Sequence, residues 1–188
     1  MAALALPVQA DIIPLADLNS YLNGLQSAKA GFSQLNEDGT TSNGTVYIKR
    51  PNRARFEYDP PNKGLVIAGG QQVAIFDPKS NVPPEQYPLR RTPLSLILAE
   101  TVNLDRSNLL VSHREEAELT VVTLQDPEHP EYGNIELKFS ADPIVLRQWV
   151  INNEAGGQTQ VALKDLQPTV IGAKSFNIPQ EIQARGLN

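Results

Sequence analysis

An alternation of apolar and polar residues between positions 44 and 61 predicts a β-hairpin. Its first half, Thr45-Val46-Tyr47-Ile48, consists of β-branched and aromatic residues, which strands favour. In the second half, every other side chain is apolar and the residues between them are mostly charged, which is the period of a strand with one buried face. The apolar positions of this second strand are Ala54, Phe56 and Tyr58.

Two loop lengths are compatible with this hairpin. A two-residue loop, Pro51-Asn52, would place charged residues opposite Val46 and Ile48. A three-residue loop, Pro51-Asn52-Arg53, pairs them with Tyr58 and Phe56 instead. Because a slip of one residue exchanges the two faces of a strand, only the three-residue loop keeps the apolar face intact, and we predict that register.

This register places Arg50 on the apolar face, opposite Ala54. An arginine cannot lose its charge there and needs hydrogen-bond acceptors. Since no acidic residue shares that face of the hairpin, backbone carbonyls of a segment lying across the sheet are candidate partners. The alternative is an exposed arginine at the end of the hairpin.

A helical period precedes the hairpin. After Pro14, leucines recur at three- and four-residue spacing, which predicts an amphipathic helix of about three turns with one face on the sheet. Gly24 and Gly31 bracket its end, and we expect the sheet to begin at Phe32. The helix is either an ordinary cover of the sheet or part of a lid. Its leucines are Leu15, Leu18, Leu22 and Leu25.

After the hairpin, residues 65–68 and 73–76 predict two strands joined by a turn at Gly69-Gly70-Gln71. Every residue of 65–68 is apolar, so we expect this strand to be covered on both faces. A proline-rich polar loop is predicted from Asp77 to Arg91.

A short apolar helix is predicted next. Thr92 suits an N-cap and Pro93 suits the first helical position. The segment Leu94–Ala99 is apolar nearly all round, because Leu96 falls off the face that its other large residues share. Such a short helix is not stable alone and needs the sheet or a ligand beneath it. It is either a core helix or a mobile plug over an apolar hollow.

The second half of the chain predicts a meander of antiparallel strands, as a curved sheet requires. The predicted strands are 109–111, 119–124, 135–139, 146–152 and 158–166.

Composition indicates a soluble β-rich domain and argues against two classes of partner. Of the 188 residues, 40% are hydrophobic and 20% charged, and the 15 prolines suit short strands with loops better than a helix bundle. The net charge of −5 argues against nucleic acid and anionic lipid surfaces. Aromatic residues make up only 6%, which disfavours an outer-membrane barrel.

Nothing in the sequence predicts catalysis. The chain has no cysteine and no Gly-x-Ser-x-Gly motif, and its two histidines, His113 and His129, lie in no convincing catalytic or metal-binding pattern. We expect a protein that is not an enzyme, with no metal site and no cofactor.

The first ten residues are uncharged and end in Val8-Gln9-Ala10, a small-x-small pattern typical of export-signal cleavage. We interpret residues 1–10 as the remnant of a signal peptide and residues 11–188 as one domain that works outside the cytoplasm. The alternative is a frayed apolar tail.

The motifs at 44–61 and 65–78 resemble the LolA family of periplasmic outer-membrane lipoprotein carriers. That family has a strand ending in Lys-Arg-Pro, an aromatic-rich return strand, and then a strand pair ending in an aromatic residue and Asp/Asn-Pro. The segment Thr92–Leu98 is similar to the family's Thr-Pro helix, and Phe176–Pro179 is similar to its terminal strand. The chain departs from the family at Gly69, where Asp is usual, and at Ala74, where an aromatic residue is usual.

The resemblance implies a mainly β (α+β) fold, in which an incomplete antiparallel β-barrel with short helices as a lid encloses a hydrophobic cavity. It implies that Arg50 holds the lid through hydrogen bonds. On this basis the residues expected to line the cavity are Val46, Ile48, Phe56, Tyr58, Leu65, Ile67, Leu94, Ile97 and Leu98.

The function that the resemblance implies is a monomeric periplasmic carrier of lipoprotein acyl chains. Loading would come from an inner-membrane ABC transporter of the LolCDE type, and delivery would be to an outer-membrane receptor of the LolB type. The alternative on the same fold is an RseB-like sensor or another periplasmic lipid-binding protein.

Overall fold

A computed structural model describes residues 12–105, 108–153 and 155–187. Within them, eleven strands form one antiparallel sheet against which three short α-helices lie. The helices are α1 (Leu15–Gly24), α2 (Leu94–Leu98) and α3 (Ile178–Ala184). The strands are β1 (Ser27–Leu35), β2 (Thr41–Lys49), β3 (Arg53–Tyr58), β4 (Leu65–Gly69), β5 (Gln72–Phe76), β6 (Glu85–Pro88), β7 (Leu110–Glu116), β8 (Leu119–Gln125), β9 (Asn134–Ser140), β10 (Val145–Asn152) and β11 (Gln158–Pro168).

The sheet consists of two meanders joined through β1, which pairs with β2 on one side and β11 on the other. Strand order is β6-β5-β4-β3-β2-β1-β11-β10-β9-β8-β7, and among the described residues no ladder joins the outer strands β6 and β7. The predicted mainly β fold with an unclosed antiparallel sheet is therefore confirmed.

The sheet is strongly curved, and one ring pair measures how strongly. Phe56 on β3 and Trp149 on β10 are four strand spacings apart, roughly 19 Å if the sheet were flat. Their ring centroids are only 6.1 Å apart, in an edge-to-face arrangement. The two meanders thus face each other across a concave side, as in an incomplete barrel. Register shifts on β1, β7 and β10 mark places where such strands bend.

The β2–β3 hairpin has its apolar face where predicted but a different register. Val46 pairs with Phe56 and Ile48 pairs with Ala54, so the predicted pairing is wrong by two residues. The loop is 50–52, and Asn52 takes the left-handed conformation (φ 60°) that often closes a three-residue loop. A two-residue shift leaves every side chain on the same face, which is why the face was right although the partners were not.

Two hydrophobic clusters lie on opposite sides of the sheet. The larger one fills the concave side and includes buried residues of both meanders, Leu18 and Leu22 of α1, and Ile97 and Leu98 of α2. The smaller one lies outside β4 and β5, where the C-terminal segment covers them with Phe176 and Ile178. The prediction that residues 65–68 are covered on both faces agrees with this arrangement.

The predicted terminal strand at Phe176–Pro179 is wrong. Residues Ala173–Phe176 form a 3-10 turn and α3 follows. Asn177 caps α3, because its Oδ1 accepts a hydrogen bond from the backbone N–H of Gln180 (2.8 Å), and Pro179 lies in the first turn. An asparagine cap followed by proline is a helix-start signal.

Two element boundaries also differ from those predicted. Strand β1 begins at Ser27, ahead of Phe32, because buried Ala28 and Ala30 continue its alternation with small side chains. Strand β6 lies inside the predicted proline-rich loop, at the edge of the sheet where proline is tolerated.

The proposed signal remnant, residues 1–10, lies outside the described residues. Over those described, no helix combines the length and apolarity needed to span a membrane.

An ion-pair cluster fastens α3 to the outside of β3. Arg55 Nη1 donates to Glu181 Oε2 (3.0 Å) and to the carbonyl of Ser175 (3.1 Å), while its Nε donates to Glu57 Oε1 (2.6 Å). Burial disfavours the charged carboxylate of Glu181, but hydrogen bonds from Arg185 and Arg55 outweigh it and hold its pKa below the ordinary value.

We expect Gly69→Ala to destabilise the protein. A methyl group at this position would overlap the backbone carbonyl of Phe176, so the C-terminal segment would have to move off β4. Overpacking of this kind costs about 1–3 kcal/mol, measured as the free energy of unfolding in urea. Gly24→Ala is the matched control, because nothing lies within 4 Å of the added methyl. Equal stability of the two variants would contradict the close contact.

We also expect the contribution of Glu181 to stability to depend on pH. A carboxylate whose pKa is lowered by folding stabilises the protein above its unfolded pKa, about 4.3, and this contribution disappears as the pH falls through the folded pKa. The difference in unfolding free energy between wild type and Glu181→Gln should therefore be full at pH 7 and shrink below about pH 4.3. A difference in unfolding free energy that stays constant from neutral to acidic pH would contradict this linkage.

Candidate functional site

The concave side of the sheet contains the candidate site. A cavity of about 270 Å³ remains there between the two meanders. Its apolar walls come from both meanders and from the start of α2, and they include Phe56, Val66, Leu94, Trp149 and Val161. Pockets for drug-sized ligands measure about 300–1,000 Å³, so this space is small for a long-chain ligand while α2 is in place.

The cavity lies toward one end of the half-barrel. Its lining includes Gln34, Tyr58 and Ile75, which lie at or near the last residues of β1, β3 and β5. We name this the open end. The loop 50–52 lies at the other end, because Arg50 N–H donates to the carbonyl of Gln26, just ahead of β1 (2.9 Å).

Helix α1 covers the end opposite the cavity. Its buried Leu18 and Leu22 enter the concave core. Its Tyr21 connects to the far meander, where the hydroxyl accepts a hydrogen bond from Leu146 N–H (3.0 Å) and the ring packs edge-on against Phe139 (centroids 6.0 Å). We name this the closed end.

Helix α2, the lid, is held by packing and by one backbone hydrogen bond from the hairpin. Ile97 and Leu98 are buried, and the carbonyl of Leu98 accepts from Asn52 N–H (2.8 Å). Thr92 does not cap the helix as predicted, because its hydroxyl donates to the carbonyl of Leu89 (2.8 Å). A helix of five residues has little stability of its own, so these contacts hold it in place.

Two asparagines of α1 fasten the segment that follows the lid. Asn23 makes a reciprocal pair with the backbone of Val102, accepting from its N–H (2.9 Å) and donating to its carbonyl (2.8 Å). Asn19 accepts from Leu104 N–H (2.8 Å) and donates to Asp105 Oδ2 (3.0 Å). Neither residue was singled out from the sequence, so this role was missed. Their i, i+4 spacing is the signal that could have found it.

Arg50 is buried, as the register argument predicted, with 6% of its surface exposed. Burial lowers its pKa, although an arginine still stays protonated. Its Nε and Nη1 make no hydrogen bond within the described part of the chain. The expected bonds from these atoms to lid carbonyls are therefore absent in this arrangement, and Asn52 N–H occupies the last carbonyl of the lid.

The predicted lining residues divide into three groups. Phe56, Tyr58 and Leu94 line the cavity. The next group is buried in the concave core around it and consists of Val46, Ile48, Ile97 and Leu98.

The third group, Leu65 and Ile67, was placed wrongly, because both lie in the outer cluster under the C-terminal segment. Val66 pairs with Phe56 and therefore faces the cavity in their place. Four consecutive apolar residues carry no alternation, so the sequence could not assign their faces.

The histidines lie away from the cavity. His113 Nε2 donates to the carbonyl of Ile13 (3.0 Å), and His129 Nδ1 pairs with Glu131 (2.9 Å) in an exposed loop. Over the residues that the structure describes, no three His, Cys, Asp or Glu side chains form a group that could hold a metal ion.

We expect Asn23→Ala to loosen the segment after the lid. Removing both hydrogen bonds with Val102 leaves two partly buried backbone groups unpaired, at a cost of about 1–3 kcal/mol. Amide hydrogen exchange at Val102 should accelerate. Ser20→Ala is the matched control on the same helix, because within the described residues the Ser20 hydroxyl bonds only to its own helix, at the Ala16 carbonyl. Equal rates of amide hydrogen exchange at Val102 in both variants would refute the proposed role of Asn23 in holding this segment.

Comparison with known proteins gives concordant matches. A family model described as outer membrane lipoprotein carrier protein LolA matches residues 23–179. A protein named outer-membrane lipoprotein carrier protein from Xylella fastidiosa (strain 9a5c) is 42% identical over 86 residues, which are 43% of this chain and 40% of the relative. One of the same name from Pseudomonas entomophila (strain L48) is 31% identical over 133 residues, 66% of this chain and 64% of the relative.

The chain thus spans about half the length of the curated relatives it matches, between 40% and 64% in these two. Among solved structures, a LolA superfamily protein from Nitrosomonas europaea superposes with a TM-score of 0.48 at 8% identity, covering 89% of this chain and 99% of that one.

Proposed function

Because the chain belongs to the LolA family of outer-membrane lipoprotein carrier proteins, we propose that it carries lipoproteins by enclosing their acyl chains in the concave side of its half-barrel. The observation that supports this most directly is the apolar cavity between the two meanders, covered by the short lid.

Hydrocarbon burial supplies the free energy for such a carrier. Each CH₂ group removed from water contributes about 0.8 kcal/mol, so an acyl chain of about fifteen represents on the order of 12 kcal/mol. A protein that holds such a chain in water must offer an apolar wall of similar quality. Phe56, Val66 and Trp149 provide one from both meanders.

Loading requires the lid to move, because about 270 Å³ does not accommodate several long acyl chains. Leu94 lines the cavity, while Ile97 and Leu98 fill the core behind it. In the proposed cycle, these side chains leave the hollow when acyl chains enter it and return when the cargo departs. Because one set of apolar groups replaces another, the free-energy difference between the empty and the loaded protein stays small. A small difference makes release of the cargo possible.

Arg50 remains our candidate for the latch of this cycle. Its loop already binds the end of the lid through Asn52 N–H, so Arg50 lies two residues from the contact that must break when the lid moves. A buried cation with unpaired donors is destabilising beside hydrocarbon. It therefore favours any arrangement that brings carbonyl oxygens to it and opposes one that surrounds it with acyl chains.

The proposed place of work is the periplasm, with cargo received from a LolCDE-type ABC transporter and passed to a LolB-type receptor. We propose a monomer, since a single chain contains the cavity, the lid and the helix α1 that covers the closed end. The export signal expected at residues 1–10 is consistent with that compartment.

The test of cargo binding uses Trp149, the only tryptophan of the chain, which lines the cavity. A lipopeptide with brominated acyl chains should quench its fluorescence saturably, because bromine quenches on contact. Val66→Phe should weaken this quenching, since the larger ring fills part of the cavity. Val111→Phe, on the exposed face of β7, should leave it unchanged.

Absence of quenching, together with no acyl lipid in the protein purified from periplasm, would refute the carrier. Binding without transfer of the lipopeptide to a receptor would instead favour the sensor alternative.

We expect Arg50→Leu to accept cargo but to release it more slowly. Leucine adds apolar surface worth about 1.5–3 kcal/mol and removes the donors that oppose hydrocarbon, so transfer to an acceptor should slow by about tenfold or more. Arg53→Leu, in the same hairpin, is the matched control, because in the part of the chain that the structure describes Arg53 bonds only to nearby carbonyls of Lys49 and Arg50. An Arg50→Leu protein that delivers at the wild-type rate would exclude the latch.

A further inference from the structure

The open end of the cavity is rimmed by neutral polar side chains. Tyr58, Tyr87 and Thr159 contribute hydroxyl groups, and Gln34 contributes an amide. Tyr58 and Tyr87 come from β3 and β6 of one meander, Thr159 comes from β11 of the other, and Gln34 lies on the joining strand β1, so these side chains surround the opening rather than lining one wall. The other described lining residues are apolar except Thr92, whose hydroxyl donates to the carbonyl of Leu89 (2.8 Å).

Two of these hydroxyls are available to a ligand. Tyr58 OH donates to Gln34 Oε1 (2.9 Å), and Gln34 Nε2 donates to Asn36 Oδ1 (2.7 Å), so this pair is already engaged. The hydroxyls of Tyr87 and Thr159 take no part in the side-chain hydrogen bonds of the described residues. Each has a proton to donate at the mouth of the cavity.

The rim contains no cation. None of the described residues that line the cavity carries a formal charge. Burial raises the pKa of Tyr87, and the carboxylate of Glu85 raises it further, so negative charge is close to the rim. Arg90 lines a separate groove with Asn52 and Gln71, and Arg91 is exposed and outside the lining.

We propose that this rim is a subsite for uncharged ester and amide carbonyls, and that it makes the cavity select neutral acylated glyceryl groups over fatty acids and phospholipids. The proposal rests on the proposed carrier function and specifies the class of cargo. Acyl chains enter through the open end and lie against Trp149, while their linking carbonyls accept hydrogen bonds from Tyr87 and Thr159.

The selectivity follows from what each headgroup needs. A carbonyl that leaves water regains its hydrogen bond from a hydroxyl, so little is lost. A carboxylate or phosphate would leave water without a cation to pair with and would approach Glu85, which is costly. Arginine or lysine normally provides such recognition, and the rim has neither.

The experiment compares ligands with identical brominated C16 chains, using quenching of Trp149 in the full chain. The neutral ligands are a diacylglycerol and a diacylglyceryl-cysteine amide whose amino group is acylated. The anionic ligands are the free fatty acid and a phosphatidylglycerol, all presented in the same uncharged detergent. We expect the neutral pair to bind at least tenfold more tightly.

Variants of the rim residues test whether the rim causes the preference for neutral ligands. Tyr87→Phe and Thr159→Val should each weaken the neutral ligands about threefold to tenfold, the value of one hydrogen bond, and leave the anionic ligands unchanged. Thr159→Ser keeps the hydroxyl and should behave like wild type. Thr159→Arg supplies the missing cation and should raise the affinity for phosphatidylglycerol.

Equal quenching by neutral and anionic ligands would overturn the rim proposal while leaving the carrier intact. The same holds if Tyr87→Phe and Thr159→Val weaken all ligands alike, or if neither weakens any. Quenching by no ligand would overturn the carrier proposal itself, and the rim proposal with it.

Discussion

The structure depends on keeping the concave face of an unclosed sheet away from water. Curvature brings Phe56 to within 6.1 Å of Trp149, ring to ring, but across the described ranges no ladder joins β6 to β7, so the sheet does not seal its own interior. Exposed apolar surface of that extent is costly, and something must always cover it. The lid and the loop after it do so with side chains of the chain itself. The role that we propose for cargo is to take their place.

The cover of the concave face is held differently at the two ends of the half-barrel. At the closed end, α1 is joined to the loop after the lid through Asn19 and Asn23 and to the far meander through Tyr21. At the open end, the lid starts without a side-chain cap, and its first residue, Leu94, lines the cavity. Opening from that end would break mainly apolar contacts, which cargo can replace. Opening from the closed end would break specific hydrogen bonds, which it cannot.

Much of this architecture follows from residue periodicity, and the errors show where periodicity carries no information. Alternation located the β2–β3 hairpin and its apolar face, but it repeats every two residues and so could not distinguish registers two residues apart. Residues 65–68 have no alternation, so Leu65 and Ile67 were assigned to the wrong side. The helical start at Asn177 was visible as a local cap signal, yet similarity to a terminal strand suggested otherwise.

The hydrogen bonds of Asn19 and Asn23 with residues 102–105 join partners far apart in sequence, and so does the rim of the cavity. No local pattern encodes such contacts. Within the described residues, the outer edges of β6 and β7 have no ladder partner, and this has a mechanical consequence. A closed barrel has a girth fixed by its strand number, and widening it breaks a ladder. Here the circumference is interrupted, so moving the two meanders apart requires no ladder between the outer strands to break. The volume enclosed by the sheet is thus adjustable, and the same sheet can accommodate ligands of different size.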